Sequence, residues 1–306
     1  MSSFAPWLNR TCVMGILNLT PDSFSGDGLL PPSPPSPSPV VRERGLEGEG
    51  RVLAQADAFL AAGADILDVG GESTRPGAEP VSVEQEIARV VPAIRAILEE
   101  LPQAVISVDT YKAAVAEAAL QAGAIMVNDV WGLKADPDLA AVVAKWRAPI
   151  VLMHNRSSWA HAEIKERLGG RYVGVPYDNL LEDVKGELLE SVAIAHRAGI
   201  RDEQIILDPG IGFGKTVEQN LELLNRIGEI KALGYPVLVG PSRKSFIGYT
   251  LDLPPDQRLE GTAAAVAIGI ARGADIVRVH DVAFLARVAR MSDAIVGKGR
   301  TRAGAV

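Results

Sequence analysis

Eight short apolar segments recur along the chain, and Ala-, Leu- and Glu-rich stretches with helical spacing lie between most of them. The apolar segments are 12–19, 64–71, 104–110, 124–130, 149–155, 205–210, 236–242 and 275–281. Most are almost continuous in apolar residues, which is typical of parallel strands buried on both faces. Several helical stretches end in Ala-Gly or Arg-Gly, where glycine supplies a left-handed cap. Eight strand–helix units predict a (β/α)₈ TIM barrel in one domain, because an open doubly wound sheet more often stops at about five or six strands.

The composition fits one large globular domain. The chain has 306 residues, of which 47% are hydrophobic and 23% charged, and its net charge is −7. An acidic balance argues against a nucleic-acid partner, which would bind a basic surface. No apolar stretch is long enough to span a membrane, so we expect no membrane partner either. The single cysteine, Cys12, lies inside the first apolar segment. We therefore expect no disulfide and a cytoplasmic location.

Two connecting segments are unusually long. Residues 31–39 contain only proline and serine, and a charged, glycine-rich run follows them. Such a composition predicts a flexible insertion over 29–48 in the first βα loop. A proline-rich docking segment for a partner domain is the alternative to a simple linker. The second long segment, roughly 155–178, follows the fifth strand, and we expect it to carry a short helix over part of the barrel mouth.

Polar residues stand at the carboxyl ends of all eight predicted strands. In chain order they are Asn18, Asp68, Asp109, Asn128 with Asp129, His154 with Asn155, Asp208, the run Ser242, Arg243, Lys244 and Ser245, and finally Arg278, His280 and Asp281. In a barrel these ends converge on one face, where the active sites of such enzymes lie. Capping of helices or bonding to backbone at the rim is the interpretation that we favour for four of them: Asp68, Asp129, Asn155 and Asp281.

Asp109, Asn128 and Asp208 point to a different chemistry. Carboxylates and an amide that face inward from a barrel wall would be unsatisfied without a polar ligand. Together they match a flat heterocycle that carries amino, ring N–H and carbonyl groups. Lys244 would donate to such a ring and offset the carboxylate charge.

A second group of residues is cationic. Arg278 and His280 alternate along the last strand, so both project to the same side. With Asn18 and Arg75 they would hold an anion rich in oxygen atoms, at the usual phosphate side of this fold. The glycine-rich segment 208–215 either contacts phosphate or simply allows a tight turn.

Seven motifs carry a resemblance to a known family. They are NLTPDSFS, DVGGESTRPGA, SVDT, the Asn-Asp pair after the fourth strand, DPGIGFGK, SRKSFIG and RVHDV. In this order, within a barrel domain that we place at 11–295, they resemble dihydropteroate synthase. The resemblance implies a transferase of folate biosynthesis that condenses 6-hydroxymethyl-7,8-dihydropterin pyrophosphate with para-aminobenzoate. The expected products are 7,8-dihydropteroate and pyrophosphate.

The resemblance also implies roles for individual residues. The pterin ring would contact Asp109, Asn128, Asp208 and Lys244. The pyrophosphate would contact Asn18, Arg75, Arg278 and His280, with a Mg²⁺ cofactor held by Asn18 and the phosphate oxygens. The para-aminobenzoate site would be shaped by Thr74, Arg75, Pro76, Phe213 and Ser245. Catalysis would fall to Asn18, Asp109, Lys244, Arg278 and His280. Related barrels pair through late helices, so a homodimer is expected.

Two alternatives share the pterin pocket. A methyltetrahydrofolate-binding corrinoid methyltransferase would keep Asp109, Asn128 and Asp208 but would have no use for Arg278 with His280, since it releases no pyrophosphate. A non-catalytic pterin-binding protein would tolerate loss of catalytic residues, yet they are all present. The synthase is therefore favoured. The proline-serine tract departs from the family pattern, in which the first loop runs quickly into a helix.

Deletion of residues 31–39 tests the interpretation of the insertion. A flexible linker buries no apolar surface, so the Tm of the deletion variant should stay within about 2 °C of that of the full chain in calorimetry. A fall of about 5 °C or more would show that the tract packs against the barrel.

Overall fold

The computed structural model describes residues 9–20, 41–73, 78–157, 162–165, 167–172 and 176–299. Its strands are β1 (Cys12–Asn18), β2 (Ile66–Gly70), β3 (Ile106–Asp109), β4 (Met126–Asp129), β5 (Ile150–Met153), β6 (Ala162–Lys165), β7 (Gly169–Tyr172), β8 (Ile205–Asp208), β9 (Leu238–Val239) and β10 (Ile276–Val279). Its helices are α1 (Val41–Ala61), α2 (Val83–Glu100), α3 (Ala113–Ala122), α4 (Leu139–Trp146), α5 (Leu180–Arg197), α6 (Val217–Asn225), α7 (Ile227–Lys231), α8 (Ser245–Leu251), α9 (Leu259–Ala271) and α10 (Val282–Val296). None of these described helices is both long enough and apolar enough to cross a membrane.

Eight of the strands form one parallel sheet that closes on itself. The hydrogen-bonded order is β8-β5-β4-β3-β2-β1-β10-β9. β9 returns to β8 through a parallel bridge between Leu207 and Val237, where the Leu207 N–H donates to the Pro236 carbonyl oxygen at 2.9 Å. These are the eight strands that the sequence predicts, and a helix follows each of them, in the case of β5 after the β6–β7 hairpin. The (β/α)₈ barrel is confirmed.

The barrel interior is a packed apolar plug. Alternation along each strand sends one set of side chains into the barrel and the other set against the helices. The inward set forms a buried cluster, which we call the plug: Cys12, Met14, Ile66, Met126, Val151, Ile206, Leu238 and Ile276. Their neighbours, such as Val13 and Leu67, belong to the larger cluster between sheet and helices. On four of the strands the inward residue two positions beyond the plug is polar: Asp68, Asn128, Asp208 and Arg278.

The segment after β5 differs from the prediction. In place of a short helix, residues 162–165 and 167–172 form the antiparallel hairpin β6–β7, in which Lys165 pairs with Gly169. Glycine disfavours helix, and the φ of 69° at Gly169 suits a tight turn. Arg258 ties this turn to the barrel, since its buried guanidinium donates to the Leu168 carbonyl oxygen at 2.8 Å.

The predicted insertion over 29–48 is corrected at its C-terminal end. Helix α1 begins at Val41, so residues 41–48 are helical rather than extended. Their Arg, Glu and Leu residues favour helix, and they continue directly into the part of α1 that packs on the sheet through buried Val52. The rest of the predicted insertion, residues 29–40, lies outside the described residues.

At the N-terminal face of the barrel, polar groups bond to one another. Thr11 donates from its backbone N–H and its hydroxyl to Asp293 on α10, at 2.9 and 2.6 Å. Asp65 accepts from the Val13 N–H at 2.9 Å and from Arg10 Nη1 at 2.9 Å. These bonds fasten the start of β1 to α10 and to the turn before β2, and they stabilise the closed barrel.

Candidate active site

Sheet register brings polar residues of three strands to one level of the barrel mouth. Asp109 is paired with Asn128 across β3 and β4 and with Gly70 across β2 and β3. Gly70 is in turn paired with Asn18 on β1. A Cβ at Gly70 would lie 3.4 Å from the Asp109 Cβ, so glycine leaves room for the carboxylate. Asn18, Asp109 and Asn128 therefore stand along one row of the wall.

Asp68 joins this row to Arg278. Its side chain is fully buried, and its Oδ2 accepts hydrogen bonds from Arg278 Nε at 2.6 Å and from Asn128 Nδ2 at 3.0 Å. Arg278 Nη2 also donates to Asp109 Oδ2 at 2.5 Å. The interpretation of Asp68 as a rim residue is wrong, because strand alternation turns it inward two positions after Ile66 of the plug. Among the described residues, Asp68 Oδ1 has no hydrogen-bond partner.

The electrostatics of this cluster favour a proton on Asp109. Burial raises the pKa of Asp109 to about 7, with help from the charge of Asp68 and against the lowering effect of Arg278. Burial alone would lower the pKa of Arg278, but Asp68 and Asp109 outweigh it and raise that pKa. Two acids thus share one guanidinium. Near neutral pH the Asp109 carboxyl is able to donate a hydrogen bond as well as to accept one.

Asp208 and Lys244 form a second cluster with the glycine-rich segment. Asp208 Oδ1 accepts from the Gly210 N–H at 2.7 Å, and burial raises the pKa of Asp208 while Lys244 opposes the shift. Burial lowers the pKa of Lys244 to about 8, against the attraction of Asp208. The Lys244 ammonium donates to the Ile211 carbonyl oxygen and lies 4.4 Å from the centroid of the Phe213 ring.

Close packing accounts for the three glycines of segment 208–215. Gly210, Gly212 and Gly214 have φ values of 70°, 85° and 63°. A Cβ at Gly210 would lie 1.8 Å from the His154 carbonyl oxygen, and one at Gly212 would lie 2.6 Å from Lys244 Cδ. The turn interpretation therefore explains these residues without a ligand. Contact of the segment with phosphate stays a prediction.

Arg243 fixes the loop that carries Lys244. It adopts a left-handed φ of 56°, with its N–H donating to Thr262 Oγ1 at 3.0 Å and its carbonyl oxygen accepting from Arg258 Nη1 at 2.9 Å. Its guanidinium forms two bonds to Asp281, at 2.9 and 2.5 Å. Asp281 lies at the rim, but within the described structure its side chain neither caps α10 nor bonds to backbone as the sequence predicts, because it pairs with Arg243 instead. Contacts with Thr262, Arg258 and Asp281 thus hold Arg243, the residue next to Lys244.

His280 and Ser245 complete the described part of the mouth. The His280 backbone N–H donates to the Oγ of buried Ser242 at 3.2 Å, and the same Oγ lies 3.0 Å from His280 Nδ1. One hydroxyl therefore orients the imidazole ring. Ser245 is the first residue of α8 and is half-buried.

Comparisons with known proteins agree with this geometry. The sequence profile of a family described as pterin binding enzyme matches residues 14–280. The dihydropteroate synthase of Bacillus subtilis is 48% identical over 96% of this chain and 92% of its own length. That of Clostridium beijerinckii is 50% identical over 94% of this chain and 95% of its own. The chain belongs to the dihydropteroate synthase family.

A solved structure supports the same assignment. The crystal structure of the dihydropteroate synthase of Clostridium difficile in the presence of pteroic acid superposes with a TM-score of 0.81. Its sequence is 44% identical, and the match covers 95% of this chain and 99% of that one. Fold and family membership therefore rest on nearly the whole length of both proteins.

Most of the described residues to which the family resemblance assigns roles fall into two clusters in the structure. Asp109, Asn128 and Arg278 share one hydrogen-bond network, and Asp208, Lys244 and Phe213 share the second cluster. Within the described part of the chain, the Asn18 amide has no side-chain hydrogen bond, and it is half-buried at the end of β1. Thr74, Arg75 and Pro76 lie outside the described residues.

The remaining rim assignments hold. Asp129 accepts from the Trp131 N–H at 2.8 Å, in the turn that follows β4. Asn155 donates to the Val130 carbonyl oxygen at 3.0 Å. Both side chains bond to backbone at the edge of the mouth, where they shape the loops rather than face the barrel axis.

Sequence analysis missed two residues next to the site. The inward orientation of Asp68 could have been predicted from the sequence, because Asp68 lies two positions after Ile66 on the same strand. The same alternation places Arg278 inward. Lys215 carried no such signal. It is buried behind the glycine-rich segment, and its partner His154 comes from a different strand end; only the folded chain brings the two together.

The raised pKa of Asp109 leads to a prediction about stability. In the unfolded chain an aspartate titrates near roughly pH 4, whereas in the fold the pKa of Asp109 is about 7. Between these values the folded state binds more protons than the unfolded state, so this contribution is complete at low pH and is lost as pH rises through the folded value. We expect the Tm of the wild type to fall relative to that of Asp109→Asn between about pH 4 and about pH 7.

Exposed Asp57 of α1 provides the matched control. Calorimetry of Asp57→Asn across the same pH range should show a constant difference from the wild type. A constant difference for Asp109→Asn as well would mean that burial does not hold the proton on this carboxyl.

Proposed function

We propose that the barrel mouth condenses 6-hydroxymethyl-7,8-dihydropterin pyrophosphate with para-aminobenzoate to give 7,8-dihydropteroate and pyrophosphate. The chain is a transferase of the dihydropteroate synthase family. The observation that carries the proposal is the network of Asp68, Asn128, Asp109 and Arg278 above an apolar plug, with one Asp68 oxygen left without a partner in the described structure. Such a surface fits a flat, polar ring that lies on the plug.

Asp109, Asn128, Asp208 and Lys244 bind the pterin in this proposal. The amino group and ring N–H of a pterin are donors, and they suit Asp208 and the amide oxygen of Asn128. Its carbonyl oxygen and ring nitrogens are acceptors, and they suit Lys244 and a protonated Asp109. Because this wall is buried, each matched bond is stronger than it would be in water, and a mismatched ring leaves buried polar atoms unpaired.

Arg278, His280 and Asn18 bind the pyrophosphate, together with Arg75 from outside the described residues. The C–O bond to the leaving group breaks with its electron pair on oxygen, so negative charge grows on the pyrophosphate. Donors already held in place stabilise that charge without reorganisation. Arg278 is held by Asp68 and Asp109, and His280 by Ser242. Arg278 belongs to the same hydrogen-bond network as Asp109, which binds the pterin ring in this proposal. We therefore propose that Arg278 contacts both the ring and the leaving pyrophosphate.

A Mg²⁺ cofactor fits the donors that are present. In the described part of the chain there is no cluster of three or more His, Cys, Asp or Glu that would hold a metal by itself. The Asn18 amide there has no side-chain hydrogen bond. Mg²⁺ prefers oxygen ligands and commonly keeps waters and substrate phosphates with few protein groups, so Asn18 and the pyrophosphate are a suitable set. The ion would supply charge neutralisation for the leaving group.

Phe213 and Ser245 border the para-aminobenzoate site, with Thr74, Arg75 and Pro76 contributed by the second loop. The arylamine attacks the carbon that the pyrophosphate leaves, and the carboxylate of Asp208 stabilises positive charge there. No protein nucleophile is required. Burial raises the pKa of Cys12 and keeps that thiol unreactive within the plug.

We also propose that the protein is a cytoplasmic homodimer. Phe284, Met291 and Ile295 are exposed by 38%, 62% and 72% and recur at helical spacing on α10. Ile268, on the neighbouring helix α9, is exposed by 47%. An apolar stripe of this kind is typical of a subunit interface. A single buried cysteine suits a reducing compartment, and cell fractionation would test that location.

Pyrophosphate release tests the reaction. With dihydropterin pyrophosphate and Mg²⁺ present, adding para-aminobenzoate should raise the rate of pyrophosphate release by at least about tenfold, with one dihydropteroate formed per pyrophosphate. EDTA should abolish the reaction. Lys244→Met should lose at least about 100-fold in kcat/KM, whereas Lys145→Met, at an exposed lysine, should retain wild-type kinetics.

Two other outcomes would contradict the proposal. Pterin binding in calorimetry without pyrophosphate release would favour a non-catalytic pterin-binding protein. Methyl transfer from methyltetrahydrofolate to a corrinoid would favour the methyltransferase.

The apolar stripe predicts which change would separate the subunits. Met291→Glu with Ile295→Glu places charge in the proposed interface and should convert the dimer to a monomer in light scattering. Leu189→Glu on α5, at a residue of 44% exposure, is the control and should stay dimeric. A monomeric wild type, or a double variant that is still dimeric, would contradict the proposed interface.

A further inference from the structure

Lys215 is a buried lysine whose amino group makes no contact with a carboxylate in the described structure. It ends the glycine-rich segment 208–215 and is 3% exposed. Its Nζ lies 2.9 Å from the Gly210 carbonyl oxygen, 3.0 Å from the Phe213 carbonyl oxygen and 3.0 Å from His154 Nδ1. Three acceptors match the three N–H bonds of an ammonium. Lys215 is therefore fully hydrogen-bonded as a cation.

His154 is held so that it can accept this bond. Its ring is buried, and its Nε2 lies 3.2 Å from Glu187 Oε2 on α5. Burial, together with the charges of Lys215 and Arg156, lowers the pKa of His154 to about 4, against Glu187. The ring therefore stays neutral, and the tautomer that places the lone pair on Nδ1 accepts from Lys215. The Nε2 of this tautomer carries the proton and lies near Glu187, but it forms no hydrogen bond with any described residue. Glu187 is fixed in turn by Arg156, whose Nε donates to it at 2.7 Å.

Lys215 and Lys244 donate hydrogen bonds to different carbonyl groups of segment 208–215. Lys215 binds the oxygens of Gly210 and Phe213, and Lys244 binds the oxygen of Ile211 between them. Lys244 also lies over the Phe213 ring. Any shift of the loop at residue 213 therefore moves both the ring and the surface on which the Lys244 ammonium rests.

Other residues of segment 208–215 are also held in place by hydrogen bonds and close packing. The Gly212 N–H donates to Asn220 Oδ1 at 2.6 Å, and Tyr177 Oη donates to the Gly214 carbonyl oxygen at 3.1 Å. A Cβ at Gly214 would lie 2.5 Å from the Arg156 carbonyl carbon. With the Lys215 bonds included, the backbone of every residue from 210 to 214 forms a hydrogen bond with a side chain.

We propose that Lys215 is a positioning residue for the condensation, which holds segment 208–215 so that Phe213 and Lys244 meet their substrates in the productive geometry. Lys215 itself touches no substrate; it acts through the loop. The inference rests on the proposed roles of Phe213 and Lys244. An apolar side chain of similar length would fill the space but would remove one hydrogen bond from each of three acceptors, namely the carbonyl oxygens of Gly210 and Phe213 and the Nδ1 of His154.

Lys215→Met is the direct test, because methionine keeps the length and removes the donors. We expect a fall in kcat/KM for para-aminobenzoate of about 10- to 100-fold, with a rise in its KM, since a misplacement of about 1 Å has this effect on a reacting pair. Lys231→Met is the matched control. Lys231 is a half-buried lysine that pairs with Asp275 away from the mouth, and its variant should stay within twofold of the wild type.

A spectroscopic readout separates positioning from general damage. The chain has four histidines, and the His154 signals are assigned by their loss in His154→Asn. In long-range ¹H–¹⁵N spectra the Nδ1 resonance of His154 should shift in Lys215→Met and should not shift in Lys231→Met. An unchanged Nδ1 resonance in Lys215→Met would overturn the contact on which the inference depends.

The His154 side of the bond gives a second pair of variants, which decides the matter if Lys215→Met fails to fold. His154→Asn keeps an acceptor near the position of Nδ1, whereas His154→Leu removes it. We expect His154→Asn to retain at least about tenfold more kcat/KM for para-aminobenzoate than His154→Leu. Equal kinetics of the two variants would overturn the inference.

The outcomes also distinguish this inference from the proposed function. Unchanged kinetics of Lys215→Met beside an active wild type would overturn the positioning role alone. A wild type that releases no pyrophosphate with para-aminobenzoate would overturn the proposed reaction and the inference with it.

Discussion

The bond between Arg278 and Asp68 organises the mouth of this barrel. Arg278 on β10 reaches across β1 to Asp68 on β2, and in the sheet register Met14 of β1 stands opposite both Arg278 and Ile66. The pair therefore depends on the sheet order, in which β10 and β2 both flank β1. Buried carboxylates cost several kcal/mol unless they are paired and hydrogen-bonded. One guanidinium shared by Asp68 and Asp109 is what permits two acids to face an apolar plug.

Burial beside the plug also sets the protonation of the site. It raises the pKa of Asp109 to about 7 and lowers that of Lys244 to about 8 and that of Lys215 to about 7. Groups that ordinarily titrate far from neutrality are thus brought close to it, which is typical of catalytic centres. Asp208 lies among these cations, and the attraction works both ways: Lys244 and Lys215 oppose the rise in its pKa, and it opposes the fall in theirs.

Much of this arrangement is readable from sequence. Eight apolar runs predict the barrel, and the strand ends predict Asp109, Asn128, Asp208 and Arg278, because one-dimensional alternation decides which side chains face inward. The prediction of a helix after β5 fails, since two adjacent glycines at 169 and 170 favour a hairpin turn that local helical spacing does not reveal. The first turns of α1 are missed because Gly45, Gly48 and Gly50 in that run lower its helix propensity. Lys215 and His154 meet only through the packing of two loops, and no local pattern encodes such a contact.

The two faces of the barrel use polar groups in opposite ways. At the N-terminal face, Asp65 and Asp293 bond to groups of the chain itself, so that end contributes stability whether or not a ligand is bound. At the mouth, Asp68 Oδ1 lacks a partner among the described residues, and Asp109 retains a proton. An incomplete network of this kind destabilises the free protein slightly, and a ligand that completes it recovers the difference as binding energy. The same unpaired groups make the site specific for its ligand. A ring without matching donors leaves the buried network incomplete, so it gains none of this binding energy.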